Sequence, residues 1–165
     1  MESSNSESER YAELSRQYIQ RADEYLRAGD RVQASEKGWG AVAEAVKSIA
    51  EQRGWNHWGH HLLNDVAFQL SEEWNRHDVR ILFDAMEKLH INFYEDNMGL
   101  DAIAASVSDA KTLLRELESL RALPPRPVVL DSRDRRLRWR RLTGELLPIG
   151  TETNRQNNGN SSGAG

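Results

Sequence analysis

The side chains with the most chemical capacity in this chain are its five histidines, three of which crowd into one short run, RGWNHWGHH, from Arg53 to His61. Imidazole changes charge near neutral pH, so each is a candidate to move a proton or ligate a metal. His57, His60 and His61 are the metal candidates, because imidazoles one helical turn apart can share an ion. No carboxylate stands among them and the glycines around them would first have to be ordered, so the expectation is no metal. Arg53 and His60 are separated by six residues, the loose arginine-to-histidine spacing of certain ribonucleases, where a guanidinium steadies phosphate charge and an imidazole moves the proton. The structural alternative for Arg53 is to stabilise the negative end of the helix it terminates. Trp55 and Trp58 read either as lids on the end of a bundle or as platforms for stacked bases.

His90 is the other histidine of interest. On a helical wheel it falls beside Phe83, Met86 and Tyr94, at the edge of an apolar stripe rather than with Asp84, Lys88 and Glu95 on the wet face. There it is either a general base or substrate contact in a cleft, or a histidine satisfied by one hydrogen bond to a neighbouring helix. Arg80 lies ten positions before it.

Several chemistries are excluded. The chain has no cysteine, hence no disulfide, thiolate site or cysteine nucleophile. It contains no glycine-rich phosphate loop, nucleophile-elbow serine or HExxH motif. The first ten residues are Ser- and Glu-rich without an apolar core, and no stretch approaches the roughly 18 apolar residues a membrane span needs, so the expected setting is cytoplasmic, with no membrane partner.

What must position these residues is a set of amphipathic helices. Tyr11, Leu14, Tyr18, Ala22 and Tyr25 recur at spacings of three and four, predicting a helix over 7–28 that Gly29 closes. Asp30, with Gln33 three residues on, resembles a capping box for the next helix, 31–53. That helix carries a row of small residues, Ala34, Gly38, Ala41 and Ala45, flanked by Trp39, Val42, Val46 and Ile49; Lys47 on its opposite face is within reach of Glu44 and Glu51. A glycine costs about 1 kcal/mol relative to Ala in a helix interior, so Gly38 has a packing reason. Further helices are predicted over 60–75, over 79–97 with Asp78 as N-cap and Gly99 as stop, and over 101–123 with Asp101 as N-cap; Pro124 and Pro125 forbid continuation. Short connections between long helices imply an all-α, up-and-down bundle of four to five helices.

Charge divides the chain. Residues 1–123 hold 14 Lys and Arg against 22 Asp and Glu, whereas 124–165 hold 8 Arg against 4 acids. The expected organisation is therefore a disordered N-terminus (1–7), a helical domain (8–123), an irregular Arg-rich extension (124–150) and a disordered tail (151–165). In the extension, charged and apolar residues alternate from Arg136 to Leu142 ahead of Thr143 and Gly144, which allows a small β-hairpin. Its arginines, Arg126, Arg133, Arg135, Arg136, Arg138, Arg140 and Arg141 around Trp139, read as a solvated linker or as a contact for RNA or an acidic surface.

The segment from Tyr18, YxxxADEYLRAGDRVQASEKGWGAVAEAVKSIAEQRGW, with LHINFYED from Leu89, resembles the archaeal PaREP family, which is similar to the wider HEPN (higher eukaryotes and prokaryotes nucleotide-binding) group. The resemblance covers residues 8–122 and rests most on Gly29-Asp30, Ala34 to Lys37, Trp39 to Ala41, Val46-Lys47, His90 and Phe93 to Glu95. It implies a HEPN-like bundle of four or five helices, often dimeric, in a group where some members are RNA-cleaving toxins and others assist a partner nucleotidyltransferase. In the RNA-cleaving members the arginine and histidine stand close together near the start of a late helix, a spacing met here only by Arg53 and His60, in an earlier loop.

The expected function is thus a noncatalytic binding or adaptor module without a cofactor, acting as a homodimer or with a nucleotidyltransferase-type protein. Its contact residues would be Glu36, Trp39, Lys47, His90 and Tyr94, with Arg136, Arg138 and Arg140 available to RNA. One alternative is a metal-independent ribonuclease using Arg53 or Arg80 with His60 or His90. Another is a purely structural homodimer joined through the small-residue row.

Overall fold

A computed structural model describes residues 2–145, and among them the chain is built from six α-helices and no strand. They are α1 (Glu2–Ala28), α2 (Arg31–Arg53), α3 (His60–Glu73), α4 (His77–Glu95), α5 (Leu100–Arg121) and α6 (Arg133–Leu142). The first five form the all-α bundle that the periodicity implies.

α2 is the central rod, packing against α1, α3, α4 and α5. Its start and stop are local: Asp30 accepts a hydrogen bond from the Gln33 amide at 3.1 Å, and Gly54 closes the helix at φ +69°, a left-handed conformation that costs glycine little. Val42, Val46 and Ile49 meet Phe83, Leu89 and Val107 from α4 and α5 in one core. Burying each such side chain contributes about 1.5–3 kcal/mol. Gly38 has the packing reason expected of it, since a Cβ there would sit 3.0 Å from Leu89 and 3.3 Å from Val107.

That contact corrects one expectation. Ala34, Gly38 and Ala41 are buried, Gly38 against Leu89 of α4 and Val107 of α5, so of the small-residue row Ala45, half-buried, is the position left open to a second copy. Two further corrections concern the ends. Residues 2–7, expected to be disordered, are helical, because α1 begins at Glu2. Ser8 is buried and donates to the Ser48 carbonyl at 2.7 Å, and Arg121 reaches Ser8 and Glu9 from α5, which ties the first turns down.

The proposed hairpin is instead α6. Ser132 caps it by accepting from the Arg135 amide at 3.2 Å, and the buried pair Arg138 and Leu142 lies one turn apart. Helical spacing of the packed residues overrides the charged–apolar alternation. The remainder of the hairpin and the tail 151–165 lie outside the described residues. Two caps also shift: Arg76 and Gly99 hold the N-cap positions of α4 and α5, with Asp78 and Asp101 inside the first turns, and α4 stops at Asp96 in a left-handed conformation rather than at Gly99. Among the described residues no helix is long and apolar enough to cross a membrane.

Candidate functional site

Helices α2, α3 and α4 bring three rings together. Trp39, in the middle of α2 and nearly buried, lies 5.2 Å from the ring of His60 and 5.1 Å from that of His90, and the two imidazoles stand 5.8 Å apart with planes only 20° from parallel. Phe83 supports Trp39 at 5.8 Å, and Tyr94, one turn beyond His90 on α4, meets it edge-on at 5.7 Å. His60 holds its place because it is the first residue of α3, after Gly59 turns the chain at φ +92°. His90 holds its place because the neighbouring Leu89 and Met86 are core residues.

The imidazoles differ in their polar surroundings. His60 Nε2 lies 3.1 Å from a carboxylate oxygen of Glu87. The approach is off the hydrogen-bond direction, and the nitrogen is buried without another partner among the described residues. A cleft of about 200 Å³ opens beside Trp39 and His90, walled by Tyr18, Glu36, Lys37 and Tyr94. The ammonium of Lys37 sits 4.7 Å over the Tyr18 ring and has no carboxylate partner among the described residues. Such a cleft can stack a flat ring, place one cation beside it and present the His90 imidazole, while His60 stands behind its wall against Trp39 and His90.

Expected site residues divide accordingly. Glu36, Trp39, His90 and Tyr94 come together, joined by His60, Lys37 and Tyr18. Lys47 does not: it pairs with Glu44 at 3.1 Å and faces Tyr11, while Glu51 is taken by His57 at 2.8 Å. Arg53 is removed from any role at His60, because its guanidinium is buried against Glu73 at 3.0 and 3.1 Å. Arg80 points to Asp84 and the face of Phe68; ten residues of helix put it about 15 Å along the axis from His90. The three metal candidates diverge, with His57 buried on Glu51, His60 on Trp39 and His61 exposed.

The Arg-rich extension is largely consumed by the fold. Arg138 is buried, bonded to Glu72 at 2.5 Å and Gln69 at 3.2 Å, and stacked over Phe68 at 4.4 Å. Burial lowers its pKa from the usual guanidinium value, an effect Glu72 and Asp65 oppose. Arg135 also reaches Glu72, Arg141 reaches Asp65 at 2.8 Å, and Arg126 covers Trp74. Arg138 is therefore a structural residue and not a surface contact; Arg136 and Arg140 remain exposed. Trp55 is the expected lid, packed edge-on to Trp139, whereas Trp58 is 75% exposed and stacked on His57.

A second concavity, about 620 Å³ between α1, α2 and α5, is floored by Ala12, Ile19, Ala45 and Leu114 and carries no histidine. Arg115 and Glu118, which make no ion pair among the described residues, are of opposite sign, so it has volume without directed chemistry.

Comparison with known proteins bears on the family and the fold. The model of the archaeal PaREP1/PaREP8 family matches residues 10–114, which include Trp39, His60 and His90 and stop short of α6. The crystal structure of a protein from Sulfolobus solfataricus is similar, with a TM-score of 0.57 and 24% identity, covering 65% of this chain and 95% of that one; at this identity the likeness is one of fold. No curated protein matches the chain.

Proposed function

The chain belongs to the archaeal PaREP1/PaREP8 family, and from that premise we propose that it is a noncatalytic, HEPN-like binding module whose cleft takes one planar, anionic ligand, a nucleotide or an unstacked RNA base. The observation that carries the reading is the Trp39, His60 and His90 triangle beside an unpaired Lys37. Ligand pockets usually measure about 300–1,000 Å³. A cleft of about 200 Å³ therefore holds a single ring system, with the phosphate outside it towards Lys37. Stacking of one base is worth about 1–3 kcal/mol and a charge-assisted hydrogen bond about 1.5–3 kcal/mol. After the cost of association a lone nucleotide should bind near the millimolar range, and an oligonucleotide more tightly. Fluorescence polarisation of a labelled eight-nucleotide RNA is expected to show binding that weakens in Tyr94→Ala and Lys37→Ala; equal affinity in both variants and wild type would reject the cleft. The module acts in this reading as a homodimer or beside a nucleotidyltransferase-type protein. Light scattering giving the monomer mass alone would remove the homodimer.

A ribonuclease reading draws on one specific feature, the pair of imidazoles 5.8 Å apart next to Glu87, a geometry suited to an acid and a base. It lacks a guanidinium at the site, since Arg53 and Arg80 are engaged elsewhere. RNA cleavage by the purified chain in EDTA, abolished by His60→Ala or His90→Ala, would make this the better account.

A further inference from the structure

His60 follows directly on residues 54–59, the connection between α2 and α3. On either side of its midpoint that connection is held by α2 itself, the Trp55 amide donating to the Ala50 carbonyl at 2.8 Å and His57 bonding to Glu51. Its midpoint is not. Asn56 donates its backbone N–H to the Leu142 carbonyl at 2.8 Å and its side-chain amide to the Arg141 carbonyl at 3.2 Å, and among the described residues every hydrogen bond it makes is to α6. The last carbonyls of a helix have no partner within it, so the connection caps α6 while α6 fixes the connection. Trp55 against Trp139, with Leu142 fully buried, supplies the apolar part of the joint. Arg141 then grips Asp65, five residues into α3 from His60. The histidine is thus clasped four residues before and five residues after by a helix outside the family-matched segment 10–114.

We infer that α6 is the positioning element of the site: Leu142 and Asn56 set the α2–α3 connection and thereby place His60, an inference that rests on reading the Trp39, His60 and His90 cluster as the ligand site. Neither residue touches the cleft. A helix that merely added stability would leave the imidazole environment of the folded protein unaltered when loosened.

The test uses the full chain carrying Leu142→Ala, Asn56→Ala and the conservative Leu142→Met, with adenosine monophosphate as probe. Hydrogen exchange in 54–60 is expected to quicken about thirtyfold in Leu142→Ala and a few-fold in Asn56→Ala, in keeping with the loss of an apolar anchor and of one hydrogen bond. The His60 imidazole resonances should move in both variants while far-UV circular dichroism stays that of the bundle, and probe affinity should fall roughly three- to tenfold from the added ordering cost. Leu142→Met should restore all three. Unmoved His60 resonances in Asn56→Ala, or in a Leu142→Ala protein whose α6 exchanges freely, would overturn the inference. Absence of probe binding by wild type would instead remove the ligand site, leaving the His60 resonances to decide the positioning.

Discussion

Glu72→Ala is the perturbation whose consequence can be worked most fully from the structure. Glu72 bonds the buried guanidinium of Arg138 and also Arg135. Removing one partner of a fully buried ion pair costs about 3–5 kcal/mol because a charge is left uncompensated. Here Glu72 is 26% exposed and Arg138 keeps Gln69 and the face of Phe68, which reduces the expected loss to about half, roughly 1.5–2.5 kcal/mol. The remaining anchors of α6 are Leu142, worth about 2 kcal/mol, Trp139, and ion pairs of which exposed examples contribute about 0–1 kcal/mol each. A loss of that size should free α6 locally before the bundle opens. At 1.4 kcal/mol per tenfold, hydrogen exchange in 133–142 should accelerate by about 10- to 60-fold. Arg138→Met should be neutral or stabilising, because a matched apolar side chain replaces the buried charge, and it should rescue Glu72→Ala. Exchange in Glu72→Ala within twofold of wild type, or Arg138→Met as damaging as Glu72→Ala, would refute the buried-charge argument.

Gly38→Ala sets an overpacking cost of about 1–3 kcal/mol against a propensity gain of about 1 kcal/mol, so urea denaturation should show a net loss of up to about 2 kcal/mol; a gain would mean that Leu89 and Val107 yield freely. Acid should destabilise the fold in a defined window. Arg76 holds the Asp78 carboxyl, and Arg16 with Arg121 holds that of Glu9, below their ordinary values. Groups with depressed folded pKa stabilise above the unfolded pKa, near pH 4, and lose that contribution as pH falls through the folded value. Melting temperature followed from pH 6 to pH 2.5 should drop below about pH 4, less steeply in Asp78→Asn; identical slopes would exclude Asp78 as a contributor. Because His57, His60 and His61 diverge, EDTA should leave the melting temperature unchanged, and a drop would expose a metal these residues do not explain.

The bundle was legible because its signals are local. Asp30, Gly54 and the three-and-four spacing of apolar residues each act within a turn or two, and the burial of Gly38 followed from its place in a row of small residues. The extension carries two competing patterns, a period-two alternation of Arg with Leu and Trp and the local cues for a helix, namely Ser132 as N-cap, Asp134 in the first turn and Arg140 with Arg141 in the last. Its real partners, Asp65, Gln69 and Glu72, sit at helical spacing on one face of α3 some 70 residues earlier, and a charged face alone looks solvated. Trp39 and His90 were identifiable as edge residues of their helices. That His60 joins them depends on how the 54–59 connection is folded, which no local pattern states. The spacing of Arg53 to His60 pointed to phosphate chemistry, yet Glu73, twenty residues on in sequence, claims the guanidinium.

In this reading Trp39, His60 and His90 receive the flat ring of an anionic ligand whose phosphate lies towards Lys37. The most direct test of that reading is a heteronuclear NMR titration of the wild-type chain with adenosine monophosphate, following the imidazole and indole resonances. The account predicts saturable shifts confined to Trp39, His60, His90, Tyr94 and Lys37, with a dissociation constant near 1 mM or about tenfold lower. Shifts clustered elsewhere, or none at ligand concentrations well above that range, would contradict it.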